Sequence, residues 1–405
     1  MLKRIASGTI ASLLLIAMIG AKCSGNVITD ARTITVPSSG YETIQEAINA
    51  ANPSDIINVK VGIYPENLIV NKTVSIIGEN PATTIIDGGG LGSVITITSP
   101  TVVISGFTIK NGKEEEWPYC GILIYRCNFA IINNNTLRDN YYGLHLLRSN
   151  SNKIFNNAIV NNSYAGIRVA DSSSNNVFSE NTIMNNFVYG LWITNAPSNT
   201  FYHNNLIDNT KQLWIDSSAT WDNGVEGNFW SDYVGADVDM DGVGDSEYTF
   251  AGDKHPLMGM FTNFTVQYKS QRYFLSTISN STISNFRFDE SQKKISFDVV
   301  GQNGTIGFCR IAMLATFVED LWQGNYTVLV DGNTTAYIGH WASSAYNYSY
   351  LTYGHTGTAH KVTMGPGFQG DNLFLLIIAA ALSSMAILAV VILTLRRRKK
   401  FQVKS

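Results

Sequence analysis

Asp237, Asp239, Asp241 and Asp245, with Gly242 among them, write D-x-D-x-D-G-x-x-D. Carboxylates at alternate places of a tight loop, with glycine at the sharp turn, put several hard oxygens around one divalent cation, and Ca²⁺ suits such a set. Val243 would add its carbonyl oxygen, and Asp245 a direct or water-bridged contact. Tyr248 stands where an EF-hand has its bidentate glutamate, with Glu247 one place early. The expectation is therefore a free-standing structural calcium loop over 237–245; a solvated acidic turn and a catalytic metal are the alternatives.

A second constellation comes from a repeated phrase. "YGLHL" at 142–146 returns as "AGIRV" at 165–169, "YGLWI" at 189–193 and "KQLWI" at 211–215. After Gly121, Gly143, Gly166, Gly190 and Gln212, apolar residues fall at the first and third positions, the alternation of a strand with one buried face. The letters between point outward: one column reads Leu123, His145, Arg168, Trp192, Trp214, and the next Tyr125, Leu147, Ala170, Thr194, Asp216. Large aromatics on an outer face are unusual. Flat indoles suit the apolar faces of sugar rings, and Arg168 and His145 suit carboxylates or hydroxyls. The expected partner is a glycan or polyanionic polysaccharide held by His145, Arg168, Trp192 and Trp214, unless a loop or the following domain covers the strip.

A catalytic version makes His145 the base and Arg168 the charge-stabilising cation of a polysaccharide lyase or epimerase. Hydrolysis would instead need two carboxylates roughly 5–9 Å apart. Asp171 faces Arg148 one coil below, Asp216 has no acid opposite it, and only the insertion "KEEEWP" at 113–118 offers further acids. Binding without catalysis is the leading expectation.

These columns require coils. A second short strand reads "NTL", "NAI", "NTI" and "NLI", and a third follows Asn152, Asn175 and Asn199 as "KIF", "NVF" and "TFY". Three strands per repeat with Asn at the corners describe a right-handed parallel β-helix, stacked about 4.8 Å per coil, with the asparagines bonding the backbone and one another. Residues 42–51 form an amphipathic helix with Ile44, Ala47, Ile48 and Ala51 on one face, fit to cap the N-terminal end. Coils run to about residue 230.

The run "YETIQEAINAANPSDIINVKVGIYPENLIVNKTVSIIGEN", the repeats, and "GNFWSDYVGADVDMDGVGDSEY" with "HPLMG" resemble the NosD-type β-helix family within the carbohydrate-binding and sugar-hydrolase group, over about residues 40–260. The resemblance implies the fold and, by the family's name, a metal-handling or envelope accessory role. Copper takes Cys, Met and His; the six histidines here are scattered. The first run also resembles the opening of pectin methylesterases, but their catalytic Gln and Asp motifs, the Asp-rich signatures of polygalacturonases and the Asp-Pro-His-Asp of alginate epimerases have no match. The resemblance implies a fold and not an activity.

From 261 to 365 longer alternating segments such as "KISFDVV" and "YTVLV" between Gly/Asn turns indicate a β-sandwich. "SNSTISNFRFDESQKKISFDVVGQNGTIGFCRI" is similar to a module of archaeal cell-surface proteins. A linker at 366–372 leads to an apolar run at 373–395, about 34 Å as a helix, followed by the basic tail 396–405. Lys3-Arg4 before "SLLLIAMIG" gives residues 1–25 the layout of a signal peptide. The expected protein is all-β with a single membrane span, its β-helix (26–260) and sandwich outside the cell and its C-terminus in the cytoplasm. Sequons at Asn263, Asn280, Asn303, Asn325, Asn333 and Asn347 agree with that placement. Nucleic acid is not an expected partner of a chain of net charge −3 whose dense basic run follows the apolar span. Cys120 and Cys127 flank one strand, too far apart for a disulfide. Oligomeric state is left open.

Overall fold

The structure, a computed structural model, describes residues 31–113, 119–333 and 337–367. Residues 1–25, read above as a signal peptide, residues 114–118 of the insertion and the apolar run at 373–395 lie outside them. Among the described residues no helix is long and apolar enough to cross a membrane. The chain divides into two compact units, the second starting at Phe264 apart from a short excursion at Thr277–Asn280.

The first unit is a parallel β-helix of about eight coils, built from sheets of nine, seven and eight strands. Its three-residue strands bury alternate side chains, so equivalent positions stack: Leu137, Ile159, Ile183 and Leu206 form one fully buried column of the core. Each coil buries the same few apolar groups, which is why the sequence repeats.

Three asparagine ladders hold the corners. Asn135, Asn157, Asn181, Asn204 and Asn228 form the longest, each Nδ2 donating to the next Oδ1, and each backbone N–H donating to the same oxygen. Asn140, Asn162, Asn186 and Asn209 form another, and Asn152, Asn176 and Asn199 the third. The glycine of the repeated phrase follows from the second ladder. A Cβ on Gly166 would lie 2.8 Å from Asn186 Nδ2 and 2.8 Å from the Gly190 carbonyl oxygen. Gln212 takes the glycine's place where that ladder ends, and its Oε1 accepts Asn209 Nδ2 at 2.8 Å.

The helix Ile44–Ala50 closes the N-terminal end. Thr43 and Glu46 form a capping box, and Ile44, Ala47 and Ile48 face inward. The first coils tether it: Glu66 accepts the Ile44 and Gln45 N–H groups, Lys72 donates to the Asn49 and Ala51 carbonyls, and the Gln45 amide pairs with Ile69 N–H and C=O. That last pairing blocks the edge of the seven-stranded sheet, which begins at Leu68–Val70. At the other end a buried aromatic stack, Phe178, Phe201, Trp221, Trp230 and Tyr248, runs out of the core into the closing segment.

The second unit has antiparallel sheets of five and four strands. Leu275, Ile311 and Leu351 from one sheet and Ile295, Phe297 and Val362 from the other share one core, a sandwich. The helix Ala315–Trp322, which the reading of alternating segments did not anticipate, buries Phe317, Val318, Leu321 and Trp322 in it. Cys120, Cys127 and Cys309 are buried thiols.

The aromatic strip as candidate functional site

The strands Cys120–Tyr125, Tyr142–Leu147, Ala165–Ala170, Tyr189–Thr194 and Lys211–Ile215 lie side by side in the seven-stranded sheet. Their register places Leu123, His145, Arg168, Trp192 and Trp214 in one column. With Leu144, Ile167 and Leu191 directed into the core, these side chains take the outer face.

What they meet there differs from four separate exposed groups. The Arg168 guanidinium lies 3.6 Å from the centroid of the Trp192 ring and 6.0 Å from that of Tyr142. Tyr164 and Tyr189 flank the same indole at 5.1 and 5.8 Å, and Tyr141 stacks on Tyr164 at 5.1 Å. Trp192 is thus half-buried, one face occupied by a cation; it braces Arg168 instead of lying open. Burial pulls the Arg168 pKa below its usual value. Trp214, one coil further, is 40% exposed and is the open aromatic of the column.

His145 departs most from expectation. An outward position on the strand implied access, yet the ring is only 3% exposed, wedged between Leu123 and Arg168 with its edge toward Tyr142 at 5.5 Å. Neither ring nitrogen has a hydrogen-bond partner. Burial first, and the Arg168 charge second, push its pKa down to about 3. The ring is therefore buried and only weakly basic, which weighs against its serving as the base of a lyase or epimerase.

Asp171 pairs with Arg148 at 3.6 Å. Asp216 accepts the Ser217 hydroxyl at 2.6 Å and the Asn195 N–H at 2.7 Å, bonds that hold its carboxyl below the usual range. The tyrosines were the residues missed. Their signal was present as "YYG", "YAG" and "VYG", an aromatic one or two places before each glycine. Lys211 continues that edge, its ammonium 5.8 Å from the Tyr189 centroid.

In the acidic loop, carboxylate oxygens of Asp237, Asp239 and Asp241 lie within 4.8 Å of one another. Asp237 accepts the Asp241 and Gly242 N–H groups, and Asp241 accepts that of Val243. Burial and the neighbouring Asp239 push the Asp237 carboxyl up. Asp245 is not in the cluster: its carboxylate accepts the Val238 N–H at 2.6 Å and staples the loop's ends.

A family model described as "Periplasmic copper-binding protein (NosD)" matches residues 19–235. No curated protein matches the chain. Among solved structures, pectin methylesterase PemA from Erwinia chrysanthemi is 14% identical, over 50% of this chain and 78% of its own, with a TM-score of 0.36. The pectin methylesterase from Aspergillus niger is 14% identical over 53% and 93%, at 0.31. The Dettilon tailspike protein is 9% identical over 82% and 94%, at 0.27.

Proposed function

Since the chain belongs to the NosD family of right-handed β-helix proteins, we propose that its β-helix is a binding surface for an extended glycan, displayed outside the cell by the N-terminal signal-like and C-terminal apolar segments. The observation that carries this reading is Arg168 seated on Trp192 inside a ring of tyrosines, with Trp214 open beside them. Flat aromatic faces and a fixed cation, repeated along one column of a parallel sheet, suit a linear polymer. Binding without turnover is favoured because His145 is buried and the nearby acids are engaged, Asp171 by Arg148 and Asp216 by Ser217 and Asn195. A glycan-array screen of the full chain tests it. Wild type should retain a subset of oligosaccharides, and Trp214→Ala should weaken them about 10- to 100-fold, the loss expected of an exposed aromatic anchor. An array without hits, or hits indifferent to Trp214→Ala, would sink the reading.

A structural Ca²⁺ at Asp237, Asp239 and Asp241 belongs to the same proposal. Three converging carboxylates, one of them partly desolvated, repel one another, and a hard divalent cation relieves that repulsion. Copper, named in the family's description, does not fit. The carboxylate trio is the only cluster of three or more His, Cys, Asp or Glu side chains among the described residues, and its donors are hard oxygens.

A further inference from the structure

Arg168 has no carboxylate in contact: Asp171 and Asp216 lie near enough to favour its charge but form no salt bridge with it. Nη2 reaches the Thr194 hydroxyl at 3.4 Å, while Nη1 is buried without a hydrogen-bond partner. The nearby acids are engaged elsewhere, Asp171 with Arg148 and Asp216 with Ser217 and Asn195. In the column its neighbours are Trp192 on one side and the imidazole of His145 on the other. A half-buried cation with no anion in contact costs stability, since its desolvation outweighs what those more distant acids return.

The guanidinium is also held in place. Stacking on the Trp192 face fixes its plane, and a fixed planar fork matches the two oxygens of a carboxylate. Its position relative to Trp214 completes the geometry. Arg168 and Trp214 stand two coils apart, about 10 Å along the axis at the usual strand spacing, a distance two linked sugar rings bridge. Lys211 adds positive charge at the Trp214 coil.

Resting on the glycan reading above, we propose that the strip is specific for an acidic polysaccharide, and that Arg168 binds the carboxylate of one uronate residue while Trp214 stacks on a sugar two coils away. His145 is then a positioning residue: a neutral group where an acid would quench the guanidinium. The anion meets the half-buried guanidinium from the outer face and supplies the contact charge it lacks, and the polymer's repeat lets further carboxylates meet Lys211.

Calorimetric titration of the full chain with galacturonate and mannuronate hexamers, and with their fully methyl-esterified counterparts, separates the possibilities. Wild type should bind one of the acids at least tenfold more tightly than its ester, with the gap narrowing as salt rises. Arg168→Gln should bind acid and ester alike, at the wild-type ester's affinity. Arg168→Lys, which keeps the charge but not the fork, should retain only part of the preference, and His145→Asp should abolish it. Each variant is first checked for an unchanged melting transition. Equal wild-type affinity for acid and ester, or an undiminished gap in Arg168→Gln, overturns the assignment and leaves the glycan reading standing. Binding of neither form, with the array also empty, overturns both.

Discussion

At the scale of single residues, His145 links the strip to stability. Its imidazole titrates near 6.5 in the unfolded chain and about 3 in the folded one, because burial and the facing Arg168 oppose the charge. Between those values the unfolded state binds more protons, so stability rises with pH across this window and is lost as pH falls from about 6.5 towards 3. The slope from this one group is up to about 1.4 kcal/mol per pH unit. Urea melts of wild type and His145→Leu at pH 4.5 and 7 should therefore diverge, the variant being favoured at the lower pH. At pH 7 the variant should equal or exceed wild type by about 1 kcal/mol, since it removes two buried nitrogens without partners. A difference independent of pH would show that His145 titrates normally. The column containing His145 was legible in the sequence because a strict register repeats it. Its burial was not, because that depends on how Arg168 folds over it and on tyrosines in a neighbouring column.

At the scale of elements, the ladders make each coil depend on the next. Asn181 Oδ1 accepts both Asn157 N–H and Asn157 Nδ2, while its own amide donates to Ile154 C=O and Asn204 Oδ1. Asn181→Ala leaves the Asn157 N–H and the Ile154 carbonyl short of partners inside a dry core, a cost of about 2–4 kcal/mol. Asn181→Asp keeps the shape but turns a carboxylate oxygen toward two acceptors, so it should cost at least as much at neutral pH. The longest ladder ends on Asp253, whose carboxylate accepts from Asn228, Trp230 Nε1 and His255 N–H. All are donors, so an acid and not an amide is wanted there, and Asp253→Asn should lower stability by about 1–3 kcal/mol. Thermal melts of the three variants check both statements; a tolerated Asn181→Asp would mean that the ladder is not directional. The Asn corners and inward strands were readable from a 22- to 24-residue repeat. The ladder's change of residue at Asp253, and the helix Ala315–Trp322, were not: each occurs once, with no repeat to align it.

At the scale of the whole molecule, a β-helix is only as secure as its ends, because an exposed terminal coil presents unpaired backbone and core apolar surface to water. The N-terminal closure is a helix with side-chain tethers at both ends. The other closure has little regular structure. It depends on Leu257, fully buried, whose N–H donates to Asn228 C=O of the last ladder. The acidic loop holds Leu257 from the far side, through a bridge at Val243 and through Gly244 and Met258 N–H bonds to Pro256 and Gly242 carbonyls. Pinning Asp237, Asp239 and Asp241 on one ion would therefore stiffen the strand of contacts that plugs the core. With Ca²⁺ at about 100 times its dissociation constant, mass action adds about 2.7 kcal/mol to the folded state. Thermal melts of the full chain should move upward when Ca²⁺ is added and return when EDTA is added in excess. In Asp239→Asn, which touches the cluster from its exposed side, the shift should shrink strongly while the metal-free melt stays close to wild type. A melt indifferent to both Ca²⁺ and chelator would remove the ion from the closure and leave Leu257 and the aromatic stack to hold it alone.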